Sequence, residues 1–198
     1  MAAKGDLPSA RERLLAAADE LFYNEGVHTV GIDRVIGRAG VAKASLYAVF
    51  GSKDELIRSY LERRHEARRA RIEQAFAGHD TPRARLLAIF DVLAELFARP
   101  DRRGCAFINA GAESSSGSAT EQATREYRAW VVELFSDQAR AAGAADPEAL
   151  AAQLVLLYDG AAVGVRMDGP STIPAAARQA AELLVDAATK RERRARAR

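Results

Sequence analysis

Apolar residues recur at helical spacing along most of the chain, whereas the strict alternation that is typical of half-buried strands is scarce. The first such segment runs from Arg11 to Asn24, where apolar residues three, four and seven apart form one stripe. They are Leu14, Leu15, Ala18, Leu21 and Phe22. Ser9 is placed to cap this helix with Glu12 as its capping-box partner, and Gly26 is placed to end it. The pattern predicts an all-α fold.

Length and composition limit the classes of protein to which the chain can belong. Its 198 residues suffice for one or two domains, and 48% hydrophobic with 28% charged residues is typical of a folded globular protein. No run of about 18 apolar residues occurs and the N-terminus lacks the apolar core of a signal peptide, so we expect a cytoplasmic protein. The single cysteine, Cys105, excludes an intrachain disulfide and a multi-cysteine metal cage, and neither metal nor cofactor is expected. A net charge of +2 is too small to indicate a nucleic-acid partner by itself.

The stretch AGVAKASLYAVFGSKDEL, residues 39–56, contains a short third helix that can fill only part of a core. A second helix precedes it from about Gly31 to Arg38, and a tight turn at Gly40 joins the two. The second half of the third helix is expected to pack inward through Leu46, Val49 and Phe50. The core shared by the three helices is predicted to contain Leu15, Leu21, Phe22, Val35, Ile36, Val41, Leu46 and Phe50.

The first half of the third helix is left facing solvent. A rigid, exposed helix N-terminus beside a glycine-containing turn is the geometry of a helix-turn-helix recognition element. Small side chains at that end let the backbone approach the floor of the DNA major groove, which is just wide enough for one helix. The alternative is that residues 39–56 form a short helical connector between packed helices. The pattern favours the helix-turn-helix interpretation and leaves the connector open.

About the first 65 residues also carry a distinctive combination of motifs. They read Leu-Leu-x-Ala-Ala, Leu-Phe with a glycine four residues on, Ala-Gly-Val, Leu-Tyr-x-x-Phe and Ser-Lys-Asp-x-Leu. In this combination the segment resembles the N-terminal domain of the TetR family of bacterial transcriptional regulators. The resemblance implies a homodimeric, all-helical protein that binds an operator and represses, or less often activates, nearby genes. It also implies release from DNA when a small molecule enters the C-terminal domain.

The residues of the predicted DNA interface have distinct expected roles. Thr29, just before the second helix, can cap that helix or reach a phosphate. Lys43 and Ser45 are the expected readers of base edges or phosphates. Tyr47 matches the motif tyrosine of the family, and Lys53 matches one of its backbone contacts, so both are expected to position the protein on DNA without selecting sequence. The small residues expected to contact thymine methyl groups are Ala42, Ala44 and Ala48.

Two positions of the third helix depart from the family pattern. Ala48 and Val49 stand where many relatives carry a polar, aromatic or histidine side chain. Specificity is therefore expected to depend more on Lys43, on Ser45, on thymine-methyl contacts and on DNA shape. The same bare surface leaves open a second function, a helical ligand-binding or adaptor protein whose DNA recognition has degenerated.

An enzyme is the other class of function to weigh. The three histidines lie on different predicted elements, and neither an HExxH, a GxSxG nor a phosphate-loop pattern occurs. The chain also offers no evident pairing of its cysteine with a histidine. No catalytic residues are predicted, and we do not expect an enzyme.

A long, highly charged helix is predicted from Lys53 to Phe76. Its apolar seam, formed by Leu56, Tyr60, Leu61 and Ile72, is discontinuous. Its arginines are interleaved with glutamates at ion-pair spacing, which favours a solvated helix over a second DNA-binding patch. These arginines are Arg63, Arg64, Arg68, Arg69 and Arg71. A stiff helix of this kind can pass a tilt from one part of the protein to another.

The predicted domain organisation has three parts, with about nine helices in all. Residues 1–52 are the helix-turn-helix domain, 53–76 the connecting helix, and 77–198 a helical ligand-binding and dimerisation domain. In the segment GCAFINAGAE, Asn109 and Glu113 lie four residues apart and can face a cavity, although Asn109 can equally bond backbone and Glu113 be solvated. Cys105 is expected to be buried and inert, the alternative being an exposed redox sensor. The candidate ligand-binding residues are Phe97, Phe107, Asn109, Glu113, Tyr127 and Trp130.

The last two predicted helices carry the expected dimer interface. One face of the first contains large apolar residues, with Gly160 and Gly164 spaced for close backbone approach, and the second is built from small side chains. Two such helices per subunit, paired across a two-fold axis, make a four-helix interface. The predicted interface residues are Leu154, Tyr158, Ala161, Val165, Ala180 and Leu184. A two-fold dimer in turn predicts an inverted-repeat operator.

Overall fold

The computed structural model describes residues 8–98, 103–169 and 172–196, with side chains described as far as residue 189. These residues form nine α-helices and no β-strand, which confirms the predicted all-α fold. The helices are α1 (Ala10–Glu25), α2 (Ile32–Ala39), α3 (Lys43–Phe50), α4 (Lys53–Ala77), α5 (Pro82–Phe97), α6 (Ala106–Glu113), α7 (Ala119–Ala141), α8 (Pro147–Asp168) and α9 (Ile173–Arg196).

Local sequence signals fix both ends of α1. The backbone N–H of Ser9 donates to Glu12 Oε2 at 2.7 Å, and the backbone N–H of Glu12 donates to Ser9 Oγ at 3.2 Å. Gly26 follows the helix with a φ of 95°, and its N–H donates to the carbonyl oxygen of Phe22. Glycine adopts such a positive φ at little cost. The predicted capping box and the predicted stop are both confirmed.

The first three helices share a small core close to the predicted one. Of the predicted residues, Ile36 and Val41 are half-buried and the others are buried. Val49 was expected to pack inward with Leu46 and Phe50, but it is 40% exposed, so that inward packing is wrong and its place on the bare surface beside Ala48 fits. Leu46 and Phe50, four residues apart, define the inward face of α3, and Val49 is rotated about 100° from Phe50 because it is the preceding residue.

The contacts of the chain divide it into two compact units. The first unit lies within residues 1–65 and 106–125, and the second within residues 66–105 and 126–198. The division falls inside α4 and inside α7, and it groups α6 with α1, α2 and α3. The three-part domain organisation expected from the sequence stays a prediction.

Two polar contacts tie the N-terminal half of α4 into the first unit. The Asp54 carboxylate accepts hydrogen bonds from the backbone N–H of Ala119 at 2.7 Å and from the hydroxyl of Thr120 at 2.6 Å. The guanidinium of Arg64 donates to Asp19 at 2.7 Å and lies 3.9 Å from the centre of the Tyr23 ring. Both ends of this helical segment are thereby fixed to neighbouring helices of the same unit.

The second unit is built around α5, α8 and α9, which pack on one another. Its centre is aromatic, because the ring of Phe135 lies 5.8 Å from that of Phe90 and 5.9 Å from that of Tyr158. By length and composition, α8 is the one helix among the described residues that is apolar enough to cross a membrane, and 44% of that stretch is buried within the protein. Part of the apolar surface of α8 is thus buried in the core of the second unit.

Candidate functional site

The turn between α2 and α3 sets the angle at which α3 leaves the core. Gly40 occupies the left-handed region with φ 63° and ψ 43°, where side chains other than glycine are strained. Arg13 of α1 donates from Nη1 to the Gly40 carbonyl oxygen at 3.2 Å. Leu46 and Phe50 then anchor α3 on the core, with 0% and 8% of their surface exposed. The N-terminal half of α3 is thereby held rigidly at the surface.

The residues predicted to contact DNA lie at this surface. Ser45 and Lys53 are half-buried, and the others are exposed. Those exposed residues are Thr29, Ala42, Lys43, Ala44, Tyr47 and Ala48. No side chain caps α3, whose first backbone N–H groups therefore stay available at its exposed end. A helix end with such small side chains fits the DNA major groove, which accepts one helix.

One part of the predicted interface needs correction. Thr29 was expected either to cap α2 or to reach a phosphate, but the residue at the N-cap position is Gly31, and no side chain caps this helix. The capping role is wrong because α2 begins one residue later than expected, at Ile32, which leaves Thr29 too far from the first turn. The phosphate role of Thr29 stays a prediction.

Two lysines differ in how they are held at this surface. The ammonium of Lys43 lies 3.0 Å from Asp33 Oδ1, and this hydrogen bond raises the pKa of Lys43. The two side chains are 57% and 80% exposed, so solvent screens the pair and an acceptor on DNA can displace Asp33. Burial instead lowers the pKa of Lys53, and the carboxylate of Glu113 opposes that shift. Lys43 is therefore the more accessible cation.

Glu113 makes a contact that the sequence did not reveal. Its Oε2 accepts a hydrogen bond from the backbone N–H of His28 at 2.8 Å, and its backbone oxygen bonds His28 Nε2. A Cβ built on Gly26 would meet the same carboxylate at 3.0 Å. The last residue of α6 therefore holds the loop between α1 and α2, instead of being solvated. The partners are 85 residues apart, so no local pattern could have indicated this contact.

The candidate ligand-binding residues fall in both units. Three of them lie in the first unit, where Phe107 is buried and both Asn109 and Glu113 are half-buried. In the second unit Phe97 and Tyr127 are buried and Trp130 is half-buried. The Tyr127 ring lies 5.7 Å from that of Trp130, and its hydroxyl lies 2.9 Å from the hydroxyl of Tyr158. Cys105 is buried, as expected. Ligand binding by all six residues stays a prediction.

Two of the five arginines predicted to be solvated on α4, Arg64 and Arg68, are half-buried. Arg63, Arg69 and Arg71 are exposed, as the solvated-helix interpretation requires, but the guanidinium of Arg68 reaches into the second unit and donates to the hydroxyl of the buried Tyr158. The missed signal is positional, because Arg68 lies seven residues after Leu61 and four before Ile72, within the apolar seam. The gap in that seam is thus occupied by a half-buried arginine whose guanidinium reaches the buried hydroxyl of Tyr158.

Four of the predicted dimer residues are buried within a single chain. Leu154, Tyr158, Ala161 and Val165 have between 0% and 7% of their surface exposed within one chain, and their place in the dimer interface stays a prediction. Ala180 and Leu184 are half-buried. The exposed residues of α8 include Leu156, Gly160, Val163 and Met167, and Leu183 is a large apolar residue exposed on α9. The spacing of these α8 residues, four, three and four, places them on one stripe.

Family models match both parts of the chain. The model for bacterial regulatory proteins of the tetR family matches residues 14–60, which contain α2 and α3. The model for the tetracyclin repressor-like C-terminal domain matches residues 82–181, which contain α5 to α8. The two matches therefore cover the predicted DNA-contacting surface and the helical remainder separately.

Individual proteins of known structure are similar over nearly the whole length. A TetR-family transcriptional regulator from Streptomyces coelicolor superposes with a TM-score of 0.87 at 31% identity, covering 91% of this chain and 96% of that one. A TetR-type regulator from Streptomyces avermitilis superposes with a TM-score of 0.81 at 32% identity, covering 91% and 98%.

A curated relative matches over a shorter segment. The HTH-type transcriptional activator FasR of Mycolicibacterium smegmatis is 36% identical over 98 residues, which are 50% of this chain and 44% of FasR. The alignment therefore spans less than half the length of that relative. With its exposed α3 end, two matching family models and regulators similar over 91% of its length, the chain belongs to the TetR family of bacterial DNA-binding transcriptional regulators.

Proposed function

We propose that this regulator is a cytoplasmic, homodimeric repressor that a small-molecule effector releases from an inverted-repeat operator. The observation that carries the proposal is the form of α3, whose inner side is anchored by Leu46 and Phe50 while its first turn is exposed and lean. An exposed, rigid helix end can enter the major groove, and two of them related by a two-fold axis read two half-sites. Their separation on DNA would be about 34–36 Å or somewhat more.

The exposed stripe of α8 supports pairing with a second copy. Leu156 and Met167 are 70% and 77% exposed, and Leu183 on α9 is 67% exposed. Gly160 lies between the two α8 residues with open space around it, so a partner helix can approach its backbone closely. The second glycine of the predicted pair, Gly164, packs on Ile173 of the same chain. A partner covering this stripe would bury the second apolar side of α8.

Effector response is proposed to act through α4. This helix is 25 residues long, and its N-terminal half belongs to the unit that contains α3. A change in its C-terminal half can therefore reach the DNA-binding unit along one continuous helix. Activation is a second candidate for the direction of control, because the relative FasR is named an activator.

The DNA proposal is tested by gel shift of the fragment upstream of the protein's own gene. Specific retardation is expected, and the affinity should fall about a thousandfold or more between 50 and 200 mM salt because bound phosphates release counterions. A scrambled fragment of the same length is the control. Equal affinity for both fragments would leave the protein without specific operator recognition and would contradict the proposal.

A further inference from the structure

Arg68 is half-buried, and it places its positive charge inside the second unit, where none of the described residues supplies a matching negative charge. Its Nη1 donates to the hydroxyl of Tyr158, and among the described residues that hydroxyl is its one hydrogen-bond acceptor. None of the described carboxylates forms an ion pair with it. A guanidinium has five N–H donors, so four of those of Arg68 have no acceptor among the residues that the structure describes. Withdrawing a guanidinium from water, even in part, is costly unless a partner compensates its charge.

The neighbouring phenols do not supply that compensation. Burial raises the pKa of Tyr158, and it raises the pKa of Tyr127 well above the ordinary value, so both hydroxyls are neutral at physiological pH. Burial alone would lower the pKa of Arg68, but the net shift of that pKa is upward, so the guanidinium stays charged at physiological pH. The cluster formed by Arg68, Tyr127 and Tyr158 therefore carries one net positive charge.

The surroundings of this cluster are aromatic. Tyr158 meets the ring of Phe135 edge to face at 5.9 Å, and Tyr127 meets the ring of Trp130 at 5.7 Å. Phe90 extends the aromatic surface beyond Phe135 at 5.8 Å. A few polar groups within an apolar lining are typical of sites that orient a small organic molecule. The body of such a molecule would contact the rings while a polar group reached the guanidinium.

We propose that Arg68 and Tyr158 recognise the carboxylate of the effector, and that the rest of the effector is apolar. This proposal rests on the proposed function, since it assigns the effector to the second unit. The planar fork of a guanidinium matches the two oxygens of a carboxylate. A single negative charge neutralises the cluster, whereas a doubly charged phosphate would leave an excess negative charge buried. The effector is accordingly an organic monocarboxylate, such as an aryl-substituted or medium-chain acid.

The test compares acids with their neutral amides. Benzoate, 4-phenylbutyrate and decanoate are each titrated against the protein alongside the corresponding amide, by calorimetry and by the fluorescence of Trp130, the single tryptophan. At least one acid should bind about tenfold or more tightly than its amide, because a hydrogen bond to a charged group is stronger than one between neutral groups. Arg68→Met should reduce that preference to about onefold, and Arg68→Lys should retain part of it.

Arg69→Met is the matched control. Arg69 is the next residue of α4, its side chain is 54% exposed, and it lies 3.9 Å from Glu73 at the surface. This variant should keep the full preference for the acid. The proposal is overturned if no acid binds the wild type at millimolar concentration, if acid and amide bind equally, or if both arginine variants behave alike. Should Arg68→Met fail to fold, the wild-type ratio and Arg68→Lys decide.

A parallel gel shift separates this proposal from the proposed function. Specific operator binding without any preference for acids would remove the role of Arg68 and leave the DNA-binding regulator intact. A preference for acids in a protein that does not distinguish its operator from scrambled DNA would support the carboxylate site and contradict operator control. The two results are measured on the same preparation, so one cannot be mistaken for the other.

Discussion

Two lysines, Lys43 and Lys53, are proposed to have different roles in DNA binding, one reading base edges and the other positioning the protein on the backbone. Lys43 is the one cationic side chain in the exposed part of α3, and its pair with Asp33 is screened by solvent. Lys53 opens α4, is half-buried and lies outside α3. The first lysine can thus reach acceptors in the groove, whereas the second suits a phosphate at its edge. Their substitution should have different consequences.

Lys43→Ala is expected to change which operator variants are preferred, with a cost of about tenfold in affinity at the base pair it reads. Lys53→Ala is expected to weaken binding to all variants alike and to reduce the slope of affinity against salt by about one counterion. Binding to a panel of single-base-pair operator variants at several salt concentrations measures both effects. Arg69→Ala, exposed on α4, is the control for loss of charge, and the same profile from both lysine variants would refute the division.

At the scale of elements, the start of α7 depends on a residue of α4. The first N–H groups of a helix have no partner within it. Those of Ala119 and Thr120 are satisfied by Asp54, at 2.7 and 3.2 Å, and Thr120 is 3% exposed. A carboxylate at this end also interacts favourably with the helix dipole. Asp54 therefore acts as a cap supplied from 65 residues away.

Asp54→Asn is expected to lower the free energy of unfolding by about 1 kcal/mol at pH 7, because the charged acceptor is lost. Burial raises the pKa of Asp54, but hydrogen bonds from Thr120 and Ala119 lower it by more, so the net shift is downward. A carboxylate with a lowered pKa stabilises the fold above its ordinary pKa, and this contribution is lost as the pH falls through the lowered value. The difference between variant and wild type should therefore shrink below about pH 4.

Urea unfolding at pH 7, 5 and 3 measures this difference. Glu55→Gln is the matched control, because Glu55 is the next residue of α4 and is exposed. Its effect should be small at every pH. A deficit for Asp54→Asn that stays constant down to pH 3 would mean that the charge of Asp54 does not stabilise α7.

The helices themselves could be predicted from the sequence because the signals that form them are local. The capping box at Ser9 and the stop at Gly26 need only neighbours within the same helix, and both were identified. Contacts between distant segments carry no such signal. The bond between Glu113 and the loop at His28 joins residues 85 apart, and the cap supplied by Asp54 has the same character.

Which side of a helix is buried was harder to predict than the helix itself. In α8, apolar residues occur on both sides, so amphipathic spacing could not decide between the stripe of Leu154 and Tyr158, which is buried, and that of Leu156 and Met167, which is exposed. In α4, Arg68 was predicted to be solvated, although its spacing from Leu61 and Ile72 places it on the inward side of the helix, where it is half-buried. In both helices tertiary packing, which no local pattern records, decided which residues face inward.

At the scale of the whole molecule, the exposed stripe of α8 has a defined consequence for assembly. The double variant Leu156→Lys with Leu183→Lys places two charges on a surface that a second copy is proposed to cover, and desolvating them is costly. The protein is expected to become monomeric at micromolar concentration, as measured by light scattering. Operator affinity should then approach that for a single half-site, because the two recognition helices are no longer linked.

Val132→Lys is the control for this prediction, since Val132 is an apolar residue that is 42% exposed on α7, outside the stripe. It adds the same kind of charge at the surface and should leave both the dimer and its operator affinity unchanged. Circular dichroism verifies that each variant keeps its helices. If the double variant remains dimeric while folded, the two-fold axis does not lie on these faces of α8 and α9, and the spacing expected for the operator half-sites loses its basis.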